Sequence, residues 1–73
     1  MKEQLTAREM QILYLLAEGK LNKEIGALLT ITIDTVKKHV KNIYRKISVR
    51  NRVEAVQYAN SLKIREPLQS IIL

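Results

Sequence analysis

The stretch 33–47 constrains this chain more than any other part of it. On a helical wheel Ile33, Val36, Val40, Ile43, Tyr44 and Ile47 fall along one stripe. Asp34, Thr35, Lys38, Lys41, Asn42 and Arg45 occupy the opposite face, flanked by Lys37, His39 and Lys46. Apolar residues recurring at this period specify a helix with one buried side and one solvated side. A lone amphipathic helix cannot cover its own stripe, so the rest of the chain must supply the opposing apolar faces.

The flanking segments read as helices of the right kind. Thr6 with Glu9 three residues on has capping-box spacing, and Met10, Ile12, Leu13, Leu16 and Ala17 follow at helical spacing with Leu15 alongside. Gly19 supplies the left-handed residue that commonly closes a helix, which gives a first helix of about 6–18. Asn22 is the expected N-cap of a short second helix, 22–29, with Ile25, Leu28 and Leu29 on one face. Gly26 inside that helix costs roughly 1 kcal/mol against alanine, which is best explained by close approach of another helix. Thr30, Ile31 and Thr32 suit a turn, and Thr32 can cap the third helix through the amide of Thr35, with Asp34 complementing the helix dipole. Asn51 and Glu54 form a second capping-box pattern, opening a fourth helix of about 52–62 with Ala55, Tyr58, Ala59 and Leu62 inward. Pro67 stops any continuation, leaving 63–73 as a tail with an apolar end.

The expected architecture is all-α: one domain over 1–73, a compact four-helix bundle containing a helix-turn-helix. At 73 residues without cysteine, no disulfide or thiolate metal site can staple it, and a single histidine cannot build a zinc site. Stability must come from the Leu/Ile/Val/Ala core that a 47% hydrophobic composition permits, helped by a partner subunit. No apolar run approaches the roughly 20 residues that span a bilayer, and the polar start Met1-Lys2-Glu3-Gln4 does not lead into a signal-peptide core. The expected setting is cytoplasmic and reducing.

The net charge of +6 suggests a polyanionic partner, but its placement is more telling than its total. Between Thr35 and Val53 lie Lys37, Lys38, Lys41, Arg45, Lys46, Arg50 and Arg52, with no acid among them. An ordinary solvated face interleaves acids that pair at (i, i+4); a one-signed face repels itself and is relieved by an anion. Duplex DNA fits, because a helix enters the major groove and lysine or asparagine can read base edges there. Lys38, Lys41 and Asn42, central on the polar face, are the expected base readers. Thr35, Lys37, Arg45 and Lys46 toward the edges, with Asn22 and Lys23 at the start of the second helix, are the expected phosphate contacts.

Other classes fare worse. A helical adaptor for an acidic partner explains basic charge equally well, but not the Thr-capped helix with cations on its outer face. An enzyme is not expected, since no carboxylate cluster, paired histidine or activated nucleophile is present and Asp34 is the sole aspartate. No cofactor, metal or small molecule is expected. His39, beside the polar face, reads as a packing residue ahead of an edge phosphate contact. Glu9 and Arg52, each opening a helix, are an expected salt bridge between the first and fourth helices.

Leu5-Thr6-Ala7-Arg8-Glu9, Gly19-Lys20-Leu21-Asn22-Lys23-Glu24-Ile25, Thr35-Val36-Lys37-Lys38-His39-Val40-Lys41-Asn42-Ile43, Lys46-Ile47-Ser48-Val49 and Asn51-Arg52-Val53-Glu54-Ala55-Val56 occur in that order. Together they resemble the C-terminal DNA-binding domain of the LuxR/FixJ/NarL (GerE-like) family of helix-turn-helix transcriptional regulators. Leu21, Gly26, Thr32 and Ile47 stand where the family often has serine, alanine, serine and leucine. From Asn42 to Lys46 the pattern looks most like the large MalT-type regulators, and stand-alone relatives of similar size exist. The resemblance implies the third helix in the major groove, with Thr35, Lys37, Lys38 and Lys41 touching DNA; Asn42 rests on the wheel alone. It also implies a homodimer through helix 52–62, with Val53, Gln57 and Asn60 as contacts, although plain solvent exposure would explain that face too. RNA polymerase is a further expected partner of such an output domain.

Overall fold

The structure is a computed structural model that describes residues 4–62. What the sequence predicts for 63–73, including the stop at Pro67, lies outside the described residues. Among the described residues the chain forms α1 (Ala7–Ala17), α2 (Asn22–Leu29), α3 (Ile33–Ile47) and α4 (Arg52–Ser61).

The helix starts follow from local side-chain chemistry. Thr6 Oγ1 accepts the Glu9 amide at 3.1 Å while Glu9 Oε1 accepts the Thr6 amide at 2.9 Å, a complete capping box. Thr32 Oγ1 accepts the Thr35 amide at 3.1 Å. Asn51 Oδ1 accepts the Glu54 amide at 2.9 Å, but the return arm differs from expectation: the Glu54 carboxylate accepts the Arg50 amide at 2.8 Å. At α2 the N-cap is Leu21 and not Asn22. The Glu24 carboxylate accepts the Leu21 amide at 2.7 Å, and this draws Asn22 into the first helical position with its side-chain oxygen buried.

Three left-handed residues redirect the chain. Gly19 (φ +89°) closes α1, with the Lys20 amide donating to the Leu15 carbonyl and the Gly19 amide to the Leu16 carbonyl, each at 3.0 Å. Thr30 (φ +58°) and Ser48 (φ +60°) do the same after α2 and α3, although a side chain there costs about 1–2 kcal/mol. The tight turn at Thr30 brings the Ile31 carbonyl oxygen to 2.8 Å from where a Cβ on Gly26 would sit. Gly26 therefore admits the turn into α3, where the sequence pointed to a neighbouring helix.

α1 packs most extensively on α4 and also on α3, while α2 leans chiefly on α3. Their shared core is Ile12, Leu13, Leu16, Ile25, Val36, Ile43, Ile47, Ala55 and Ala59. Ala55 and Ala59, one turn apart, present little side chain toward α1 and allow close packing. Several residues expected inside are not. Leu28 is 59% exposed, Leu62 52% and Ile33 45%, with Met10 also exposed. The reason is positional: α2 is short and covered mainly by α3, so Ile25 and Gly26 fill its inner face and Leu28 overhangs. Ile33 and Leu62 lie at helix ends beyond the core.

Candidate nucleic-acid interface

The polar face of α3 is built from its cap outward. Thr32 Oγ1 donates to Thr35 Oγ1 at 2.9 Å, so Thr35, half-buried, is oriented by the residue that starts the helix. Beyond it Lys37, Lys38, Lys41, Asn42 and Arg45 are all exposed, backed by Val36 and Ile43, which are fully buried. Among the described residues Lys37, Lys38 and Lys41 make no ion pair. The face that the sequence separates by wheel position is separated by burial as well. His39 is half-buried at its edge.

The structure divides the cationic stretch in a way that the sequence does not show. Lys46, expected at a phosphate, is turned inward: its Nζ lies 2.8 Å from Glu9 Oε1, with the lysine side chain 12% exposed and the glutamate 6%. The lysine is thereby held within the protein, and the cause is the packing of the last turn of α3 against the first turn of α1. A signal was available. Glu9 stands in register with Ile12, Leu13 and Leu16, so an acid lies on the buried stripe of α1 and requires a buried partner. Burial pushes the Glu9 carboxyl up, but hydrogen bonds from Lys46 and Thr6 and the Lys46 charge outweigh it and leave the group below its ordinary value.

Glu9 thus does not pair with Arg52, contrary to expectation. The Arg52 guanidinium instead donates to the Lys20 carbonyl, tying the start of α4 to the turn after α1. Half-buried Tyr44 feels its charge: burial raises the phenol and Arg52 partly offsets this. Arg50 pairs with Glu54 at 3.2 Å on the surface. Its amide and side chain hold the Glu54 carboxyl below the ordinary value.

At the start of α2, Lys23 is exposed, while Asn22 turns its side-chain oxygen inward. Leu21 supplies no side-chain hydrogen bond to this helix start, and Asn22 as a whole is half-buried. On α4, Val53 is 66% exposed, and Gln57 and Asn60 are exposed beside it. Val53 and Gln57 also line a shallow apolar cleft of about 310 Å³, shared with Leu16, Ala17, Gly19, Arg52 and Val56.

A short helix, a three-residue turn and a longer helix with an exposed cationic face define a DNA-binding helix-turn-helix module. The family profile "Bacterial regulatory proteins, luxR family" matches residues 3–59, and the chain belongs to that family. It is 57% identical over 58 residues to the transcriptional regulatory protein LiaR of Bacillus subtilis, covering 80% of this chain and 28% of LiaR. It is 54% identical over 57 residues to the response regulator protein VraR of Staphylococcus aureus, covering 78% of this chain and 27% of VraR. The chain therefore spans less than a third of these relatives' length. Among solved structures, the response regulator ChrA of a heme-sensing two-component system superposes with a TM-score of 0.79 at 38% identity, covering 88% of this chain and 32% of that one. The module is a LuxR-type DNA-binding domain of transcription regulation.

Proposed function

We propose that this domain reads a specific duplex sequence by placing α3 in the major groove, with Lys38, Lys41 and Asn42 on base edges. Thr35, Lys37 and Arg45 take phosphates along the groove walls, and Lys23 with the first amides of α2 takes a further one. The observation that carries this reading is the sorting of charge. Lys46, Arg50 and Arg52 are engaged within the protein, whereas Lys37, Lys38 and Lys41 stand exposed on one face, without ion pairs among the described residues.

A two-fold dimer through Val53, Gln57 and Asn60 of α4 accounts for an exposed valine bordering an apolar cleft, which a second copy would cover. The likeness to LiaR and VraR favours an output domain of a response regulator over a MalT-type one, with RNA polymerase as a partner at the promoter. The role is binding without catalysis, and no cofactor enters it. No helix among the described residues is long and apolar enough to cross a membrane, which accords with work in the cytoplasm.

Selection on randomised duplex DNA followed by mobility shift across salt tests the proposal. A recurrent motif in two half-sites is expected, with affinity falling by a slope of about 0.9 per phosphate neutralised. Recovery of no motif would remove the sequence-specific reading and leave a basic surface for an acidic protein partner.

A further inference from the structure

Lys46 reaches two structural elements at once. Its Nζ is 2.8 Å from Glu9 Oε1 and 3.5 Å from the carbonyl oxygen of Gln4, in the segment that leads into α1. The same Glu9 oxygen accepts the Thr6 amide, so the capping box holds the carboxylate in place before Lys46 meets it. This makes the pair directional. The apolar contacts of Ile43 and Ile47 decide which side of α3 faces inward, but apolar burial is itself non-directional and tolerates some roll about the helix axis. A roll of about 20° displaces side chains at a radius of about 5–6 Å by about 2 Å, which is enough to break a hydrogen bond to a base edge.

We propose that Lys46, held by Glu9, is a positioning residue that sets the rotation of α3 presented to DNA. The proposal rests on the reading that α3 lies in the major groove. The Ile31 amide, donating to the Gly26 carbonyl at 2.9 Å, ties the turn into α3 to α2, and the Glu9–Lys46 pair ties the last turn of α3 to α1, so Lys38, Lys41 and Asn42 lie between two fixed points. Lys46 acts through these residues and does not contact DNA.

The test compares Glu9→Gln, Lys46→Met, the double variant and Lys46→Arg with the wild-type chain, each shown to be folded at the assay temperature by circular dichroism. Glutamine keeps the capping acceptor and removes the charge. Affinity is measured for the selected duplex and for a random duplex between 50 and 200 mM salt. Glu9→Gln and Lys46→Met are each expected to lose about tenfold on the selected duplex and less than about twofold on the random one, with the salt slope unchanged. The double variant should be no worse than the weaker single, and Lys46→Arg should retain most of the selectivity. If Lys46→Met weakens both duplexes alike and lowers the slope by about 0.9 while Glu9→Gln binds normally, Lys46 is a phosphate contact and the proposal is overturned. Unchanged selectivity in both singles also overturns it, reducing the pair to a structural tie. A wild-type chain with no preference between the duplexes refutes the groove reading itself, a different failure. Should Lys46→Met fail to fold, Glu9→Gln and Lys46→Arg decide the matter through selectivity alone.

Discussion

Lys41 and Ile43 lie close together on α3, yet substitutions at the two are expected to fail in opposite assays. Ile43 is fully buried. Removing one methyl group with Ile43→Val costs about 0.5–1.5 kcal/mol, because neighbours refill the space only in part. For a chain of 73 residues the total stability is about 4–11 kcal/mol. Each kcal/mol moves Tm by about 4–8 °C in a domain of this size, so the variant should melt about 2–12 °C lower. At 25 °C it still retains about 2.5 kcal/mol or more, and at most about one to two per cent is unfolded. Its affinity for DNA, scaled by the folded fraction, should therefore be unchanged. Lys41 is exposed and makes no ion pair among the described residues, so Lys41→Ala should leave Tm within about 4 °C. At the cognate duplex it should lose about 1–3 kcal/mol, or about 5- to 150-fold in Kd, and relax preference at one base position. Thermal melting by circular dichroism and mobility shift at fixed salt provide the two readouts. A Lys41→Ala variant that melts like the core variant but binds normally would refute the division of α3 into a packed face and a reading face. So would an Ile43→Val variant that loses tenfold in affinity without a change in Tm.

Other substitutions address the parts around α3. Arg52→Ala removes a charged donor from the Lys20 carbonyl and should lower Tm by at least about 6 °C; an unshifted melt would show that the contact contributes nothing. Thr30→Asn should raise Tm by about 2–8 °C, because asparagine visits the left-handed region more readily than a β-branched residue, and a lower Tm would mean that packing of the threonine methyl outweighs the strain. Val53→Glu should weaken cooperative binding to a two-half-site duplex with little effect on melting, and undiminished cooperativity would refute the α4 interface. Acid should destabilise through Glu9: its folded pKa lies below the ordinary 4.5, so its contribution is present above that value and lost as pH falls through the lowered one. Melting from pH 6 down to about 3 should fall less steeply in Glu9→Gln than in the wild type, and parallel curves would discard Glu9 as the source.

Much of the candidate interface was legible because it depends on one helix at a time. Thr6, Thr32 and Asn51 announce helix starts through side chains that reach only three residues along the chain. The wheel over 33–47 sorts Val36 and Ile43 from Lys38 and Lys41 because the helical period alone decides which side chains share a face. Where the reading of burial and of charge pairing failed, a second helix was involved. Leu28 shares a wheel face with Ile25, yet α2 has too little covering it to bury both. Asn22 suits a cap by residue type, but Glu24 reaches back to Leu21 and moves the helix start by one position.

Period and capping, both local, thus determine four helices, their inner stripes and a cationic outer face from the order of residues alone. The assignment of individual charges belongs to the tertiary structure. Lys46 and Lys41 are the same residue type on the same helix, and only the approach of α1, with Glu9 on its buried stripe, makes one an internal tie and leaves the other exposed to solvent. Coulomb attraction and desolvation depend on distances between atoms far apart along the chain, and those distances exist only once the helices have packed.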